Sequence, residues 1–262
     1  MAFPHGVVPV PLVKRQNKSS HSCLTGAFRS PWSEALVCGR PSSRFSRGEV
    51  LYEPGHNDLS LYFIRSGVVG VGTVSEDGRE VIYDLRKQGD IAGELCASPF
   101  PRRDRAVALQ DTLATPVAFK EILDFLQKNG AALRGFLAIL SASLSSAYEQ
   151  TECLFSRDVV QRVARTLQRL AARLGRECGG GVEIEIYLTQ EELSRMVGAS
   201  RERVSSALNV LRAAGLIDYP RRGHFVLHRR VFGLLCPGSA ASENFGVAGP
   251  LSSAILAEGP QG

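Results

Sequence analysis

Arg201, Glu202, Arg203, Ser205 and Ser206 crowd the first two turns of one short amphipathic segment. Their side chains are those that read base edges in a DNA major groove. A guanidinium donates two parallel hydrogen bonds to guanine. A carboxylate accepts from the amino group of cytosine or adenine, and hydroxyls serve either role. The elements that must position them are legible in the surrounding residues. Thr189 is an N-cap with Glu192 three residues on, a capping box. Leu193 and Val197 follow at helical spacing, and Gly198 supplies the left-handed conformation that a tight turn needs. Ser200 caps a second helix whose apolar face is Val204, Ala207, Leu208 and Leu211, and Gly215 ends it. A small two-stranded wing is expected to follow, reaching to about Val226. Two helices, a tight turn and a wing form the arrangement in which the second helix enters the major groove.

Charge supports this reading. Between Arg195 and Arg230 there are eight arginines against Glu202 and Asp218, a net +6, whereas the whole 262-residue chain carries +5. Cations gathered on one small module suit phosphate contacts, and such binding weakens steeply with salt. The chain is long enough for two domains with real cores, and its 44% hydrophobic content is ordinary for a globular protein. No apolar run approaching the ~20 residues of a membrane span is expected, so no membrane partner is implied. The first residues, with Pro4, Pro9 and Pro11, do not form a secretory signal. Cys23, Cys38, Cys96, Cys153, Cys178 and Cys236 are therefore read as reduced thiols in a cytoplasmic protein, too scattered to form a zinc site. The histidines (His5, His21, His56, His224 and His228) have no metal spacing, and Ser205 and Ser206 lack a base partner at motif spacing. Nothing indicates an enzyme.

The chain divides into five stretches. Residues 1–30 are rich in Pro, Ser, Gly and basic side chains and are expected to be a disordered arm, as is the Gly/Ser/Ala-rich tail 237–262, with a helical turn conceivable over Ala254–Ala257. Residues 31–130 read as a sensor domain of short antiparallel strands, a small sandwich or barrel. Its segments are Val50–Tyr52, Leu61–Ile64, Val68–Val74, Val81–Leu85, Ala106–Leu109 and Ala114–Phe119, punctuated by Pro54-Gly55, Asp77-Gly78 and Gly89-Asp90. Pro116 predicts an edge position for the last strand. A short helix over Glu121–Gln127 precedes a long one over 131–156, with Leu133, Leu137, Leu140, Leu144, Ala147 and Thr151 near heptad spacing. One stripe of that helix can serve its own domain and a second a partner. Residues 157–236 form the DNA-binding half: an amphipathic helix over Asp158–Leu174, a flexible Gly179-Gly180-Gly181 link, a strand over Val182–Tyr187, and the two helices and wing described above.

A β-roll, a long helix and a winged helix-turn-helix, in that order, resemble the Crp/Fnr family of bacterial transcription regulators over about residues 40–235. The specific segments are RGEVLYEPG (47–55), LYFIRSG (61–67), GDIAGEL (89–95) and GASRERVSSALNVLRAAGLI (198–217). The resemblance implies an α+β fold: an N-terminal antiparallel β-roll of cyclic-nucleotide-binding type, a dimerisation helix and a C-terminal winged helix-turn-helix. It also implies a homodimer that reads an inverted repeat in double-stranded DNA and works with RNA polymerase. The DNA-facing set it suggests is Thr189, Gln190, Ser200, Arg201, Glu202, Arg203, Ser205, Ser206, Arg221 and Arg222. Arg201 and Glu202 would read bases, and Arg203 would reach a phosphate. Ser206 stands where an arginine is common in the family.

The same resemblance places an effector pocket at Gly93, Glu94, Leu95, Arg102, Arg103, Ala147 and Tyr148. Glu94 would hold a ribose hydroxyl and Arg102 a cyclic phosphate, with Arg103 the alternative because the loop between them is short. Ala147 and Tyr148 replace the two hydroxyl residues that read adenine in the cyclic-AMP sensor. Cyclic AMP is therefore not expected as the switch, whereas another cyclic nucleotide or small anionic effector is compatible. Tyr148 would plug the pocket or stack on a different base. An iron–sulfur cluster lacks its ligands, because the β-roll cysteine position is Thr115, and Cys96 near the GEL turn has no histidine to accompany it for haem. The alternative function is a cyclic-nucleotide-binding module that acts through protein partners.

Overall fold

The computed structural model describes residues 31–55, 59–97, 101–155, 158–221 and 223–235. The terminal arms, and with them Cys23 and Cys236, lie outside these. A short helix, α1 (Pro31–Val37), leads into β1 (Ser43–Phe45), β2 (Val50–Tyr52), β3 (Ser60–Ser66), β4 (Val68–Val74), β5 (Glu80–Lys87) and β6 (Ile91–Ala92). A single 3₁₀ turn, Glu94–Ala97, precedes β7 (Arg105–Ala108) and β8 (Thr112–Ala118). These strands form two four-stranded antiparallel sheets, ordered β1-β8-β3-β6 and β2-β7-β4-β5. The continuous apolar run of β3 is explained by burial on both faces. Leu61 and Phe63 pack with Trp32, Ile122 and Phe136 in a helical layer, while Tyr62 and Ile64 pack inside the roll with Tyr52 and Val69.

Pro116 does not put β8 at a sheet edge, since β1 and β3 flank it. The proline is tolerated because β1 pairs only with Thr112–Ala114, leaving β8 one neighbour at Pro116.

Helices α2 (Phe119–Lys128) and α3 (Gly130–Phe155) follow. The sequence from Gly135 to Tyr148 carries no charge. Part of α3 accordingly reaches a mean hydropathy of 1.3 over 18 residues, and the helix is long and apolar enough to cross a membrane by length and composition. This corrects the expectation of no such run: Leu, Ile, Phe and Ala raise the average, and the serines among them keep it from forming an obvious block. One side of α3 is occupied by its own domain through Ala132 and Phe136, whereas Leu133, Leu137, Leu144 and Tyr148 are exposed.

The C-terminal half comprises α4 (Val159–Leu174), β9 (Gly175–Cys178), β10 (Gly181–Ile184), α5 (Gln190–Val197), α6 (Arg201–Ala213), β11 (Ile217–Arg221), β12 (His224–His228) and α7 (Arg230–Leu235). The expected glycine link is instead the turn of a β9–β10 hairpin, with Gly181 itself paired to Cys178. The hairpin widens the wing into a four-stranded sheet, β11-β12-β10-β9.

This half docks on the roll. Val68, Ile82, Leu85 and Leu109 share one buried cluster with Leu170, Leu174 and Met196. Arg195 pairs with Glu80 (2.5 Å), Arg47 with Glu192 (2.5 Å), and Arg173 with Asp84.

Candidate nucleic-acid interface and sensor pocket

The capping box at α5 is complete. Thr189 Oγ1 accepts from the Glu192 N–H (3.1 Å), and the Glu192 carboxylate accepts from the Thr189 N–H (2.7 Å) and hydroxyl (2.9 Å). Gly198 takes φ 64°, ψ 44°, the left-handed geometry that turns the chain into α6. Ser200 caps α6 through the Arg203 N–H (3.4 Å). Because Val204, Ala207, Leu208 and Leu211 are buried, Arg201, Glu202, Arg203 and Ser206 face outward, with Ser205 half-buried. Arg201 and Arg203 make no ion pair among the described residues. The Glu202 carboxyl is held below its ordinary value, first by its own backbone N–H and then by Ser200, and so remains an ionised acceptor. Thr189, Gln190 and Arg201 meet at one groove of about 510 Å³, walled by Tyr187 and Tyr219. Burial pushes the Tyr219 phenol up to about 12, which keeps it neutral.

The basic excess is less free than the count of arginines implied. Arg195 is tied to Glu80 and Glu191, Arg229 to Glu177, and Arg212 lies over the Tyr219 ring at 5.5 Å. The backbone of Arg221 ends β11, whereas its side chain and all of Arg222 fall outside the described residues.

In the roll, Gly93 has φ 96°, and a Cβ there would lie 2.8 Å from Arg102 Nη1 and 3.0 Å from the Ser60 carbonyl oxygen. Only glycine lets Arg102 lie across this turn. Arg102 is 3% exposed, donates to the Ser60 carbonyl (2.8 Å) and stacks 3.9 Å over the Tyr52 ring. Arg103 is exposed, so Arg102 is the arginine that faces the interior. Beneath it the Tyr52 hydroxyl donates to Asp104 (2.8 Å), and burial raises the pKa of both groups.

Glu94 is already engaged. Its carboxylate accepts from Arg86 Nη2 (2.5 Å) and from the Ser143 hydroxyl of α3 (2.8 Å), and Arg86 also pairs with Asp84 (2.9 Å). Burial opposes the Arg86 charge, but Glu94 and Asp84 outweigh it and raise its pKa. Leu95, Ala147 and Tyr148 are exposed. The Tyr148 of the same chain does not form the expected plug. Ser143 lies on the α3 face turned toward the roll, and Tyr148, 62% exposed, continues the leucine stripe on another face.

Sequence reasoning missed Arg86, Ser143, Tyr52 and Asp104. The only local signal was Asp84 and Arg86 two apart, hence on one face of a strand. Thr115 accepts from Arg65 Nε (2.9 Å), a structural role in place of a cluster ligand. Cys96 is buried, and no group of three or more metal-binding side chains occurs among the described residues.

Two family profiles match, a cyclic nucleotide-binding domain over residues 42–129 and a Crp-like helix-turn-helix domain over 161–231. A CRP-like cAMP-activated global transcriptional regulator of Mycobacterium tuberculosis is 33% identical over 165 residues, 63% of this chain and 74% of that protein. The chain belongs to the Crp/Fnr family. An anaerobic regulatory protein of Bacillus subtilis is 29% identical over 191 residues, covering 71% and 79% of the two chains. FixK2 from Bradyrhizobium japonicum shares the fold, with a TM-score of 0.67 at 21% identity over 76% of this chain and 99% of that one. This Crp/Fnr member is thus a transcription regulator that pairs a DNA-binding helix-turn-helix unit with a cyclic-nucleotide-binding-type β-roll.

Proposed function

We propose that the protein is a cytoplasmic, non-enzymatic homodimer that reads an inverted repeat through α6 and acts on RNA polymerase. In this reading, residues 31–130 sense a signal, 131–156 dimerise and 157–236 bind DNA. The observation that carries it is the outward Arg201–Glu202 pair at the N-terminus of α6, beside the Thr189–Gln190 groove. Arg201 donates to a guanine and Glu202 accepts from a base amino group, while Thr189, Gln190, Ser200, Arg203 and Arg221 approach the backbone. The Thr189 hydroxyl is occupied by its cap, so its contribution is to fix the helix end that meets a phosphate.

Cyclic AMP is not the switch in this proposal. Arg86 and Ser143 already hold one oxygen of Glu94, and no side-chain hydroxyl at Ala147 awaits an adenine. Calorimetry with cyclic AMP, with and without operator DNA, is expected to show no binding that tightens the operator complex.

Selection on randomised DNA tests the main reading. The wild type should enrich an inverted repeat. Arg201→Ala should lose about 1–3 kcal/mol of specific affinity and relax selection at one guanine per half-site. Enrichment of the same sequence by both proteins, or of no repeat by the wild type, overturns it.

A further inference from the structure

A cleft of about 780 Å³ lies between β5, α3 and α4, where the roll meets the DNA-binding half. That volume is in the range of small-molecule sites. One wall is a stripe of small α3 residues, Gly135, Ala138 and Ala142, and the opposite wall carries Arg169 and Arg173 of α4. At ~100° per residue, Ala142 lies on the far side of α3 from the exposed Leu137 and Leu144. Pairing of two chains along those leucines therefore leaves the cleft open. The cleft is also distinct from the roll pocket. Arg86 and Ser143 line it, but the Glu94 that they hold does not, nor does Arg102.

The cations of this cleft are unequal. Arg173 is held by Asp84 and Asp90, Arg86 by Asp84 and Glu94, and Lys87 donates to the Arg173 carbonyl. Arg169, one turn before Arg173 and half-buried, has no side-chain hydrogen bond or ion pair among the described residues. Asp84 is committed to two other arginines, and Glu149, which also lines the cleft, acts on Arg169 only at longer range. Burial lowers the Arg169 pKa, as it does for a cation whose solvation is only partly replaced. A half-buried guanidinium facing a cavity of small-molecule size leaves its fork of donors open to an anion.

We propose that this cleft binds a small organic anion, its carboxylate or phosphate on Arg169 and its apolar body along the Gly135–Ala142 stripe. The bound molecule touches β5, α3 and α4 together, so it ties the sensor roll to the DNA-binding half without using the roll pocket. Occupancy and DNA affinity are then coupled, each altering the other.

Calorimetry on the full chain tests this with benzoate and phenyl phosphate, which carry both features, and with inorganic phosphate and phenol, which carry one each. Expected is a single saturable site per chain for benzoate or phenyl phosphate, and the one that binds names the head group. Inorganic phosphate and phenol should bind more weakly. Arg169→Gln should weaken the site by roughly tenfold or more, and Ala142→Trp, which fills the cleft, should abolish it. Arg169→Gln breaks no bond in the fold, so its thermal midpoint should match the wild type. The proposal is overturned if neither amphipathic anion saturates, if inorganic phosphate binds as tightly, or if both variants retain wild-type affinity. None of these readouts involves DNA, so they stand apart from the test of base reading.

Discussion

Replacing Arg86 by Met removes the cation that joins β5 to the Glu94 turn and α3 while keeping its apolar stem. Its side chain is 12% exposed, and its carboxylate partners Asp84 and Glu94 are 12% and 11% exposed. After the substitution Asp84 keeps Arg173, but Glu94 keeps only the Ser143 hydroxyl. Leaving one buried carboxylate uncompensated costs about 3–5 kcal/mol. Because the Ser143 hydroxyl still donates to Glu94, the expected loss lies at the lower end, about 3 kcal/mol.

Trp32 is the chain's one tryptophan and packs edge-on to Phe63 of the roll and Phe136 of α3, so its fluorescence reports this unit directly. In urea, with a slope of about 2 kcal/mol per molar, the midpoint should fall by about 1.5 M. The double variant Arg86→Met/Glu94→Leu should recover most of the loss, because no buried carboxylate is left without its cation. An unchanged midpoint, or a double variant as unstable as the single one, would refute the bridge.

Leu144→Glu should yield monomers in sedimentation velocity, because Leu137 and Leu144 are 52% and 53% exposed on the proposed dimer face. Leu140 is a poorer probe, since it packs partly against its own core. An unchanged dimer would exclude this face. Asp104→Asn tests the buried carboxyl under Arg102. Burial raises its folded pKa above the ordinary 3.8, so the folded state holds more protons than the unfolded one between those values. Stability contributed there is present at low pH and lost as pH rises through the folded pKa. The asparagine still accepts from Tyr52 and should remove that loss. The variant should therefore gain on the wild type as pH rises from 4 to 7, and parallel stability curves would contradict the assignment.

Much of the DNA-facing half was decided locally, and so was readable in the chain. Thr189, Glu192, Gly198 and Ser200 act on backbone groups only a few residues away, and the buried face of α6 follows from a 3.6-residue period. Those rules put Arg201 and Glu202 outward before any tertiary contact is known. The punctuation of the roll by Pro54-Gly55, Asp77-Gly78 and Gly89-Asp90 is local in the same way. The heptad-like leucines of α3 announced an unpartnered face, but the sequence could not say that Leu140 turns partly inward while Leu144 does not.

The sensor pocket was decided by distance along the chain. Arg86 and Ser143 stand 57 residues apart, and they meet Glu94 only because α3 crosses the roll beside β5. Arg102 rather than Arg103 turns inward because Tyr52, 50 residues away, offers its ring and Gly93 leaves room. The docking of the C-terminal half on Ile82 and Leu85 joins apolar patches that looked like separate cores in the sequence. A residue's own neighbours fix its helix face and cap. Which charge is buried, and against what, is settled only when the fold brings remote chains of polar groups out of water together.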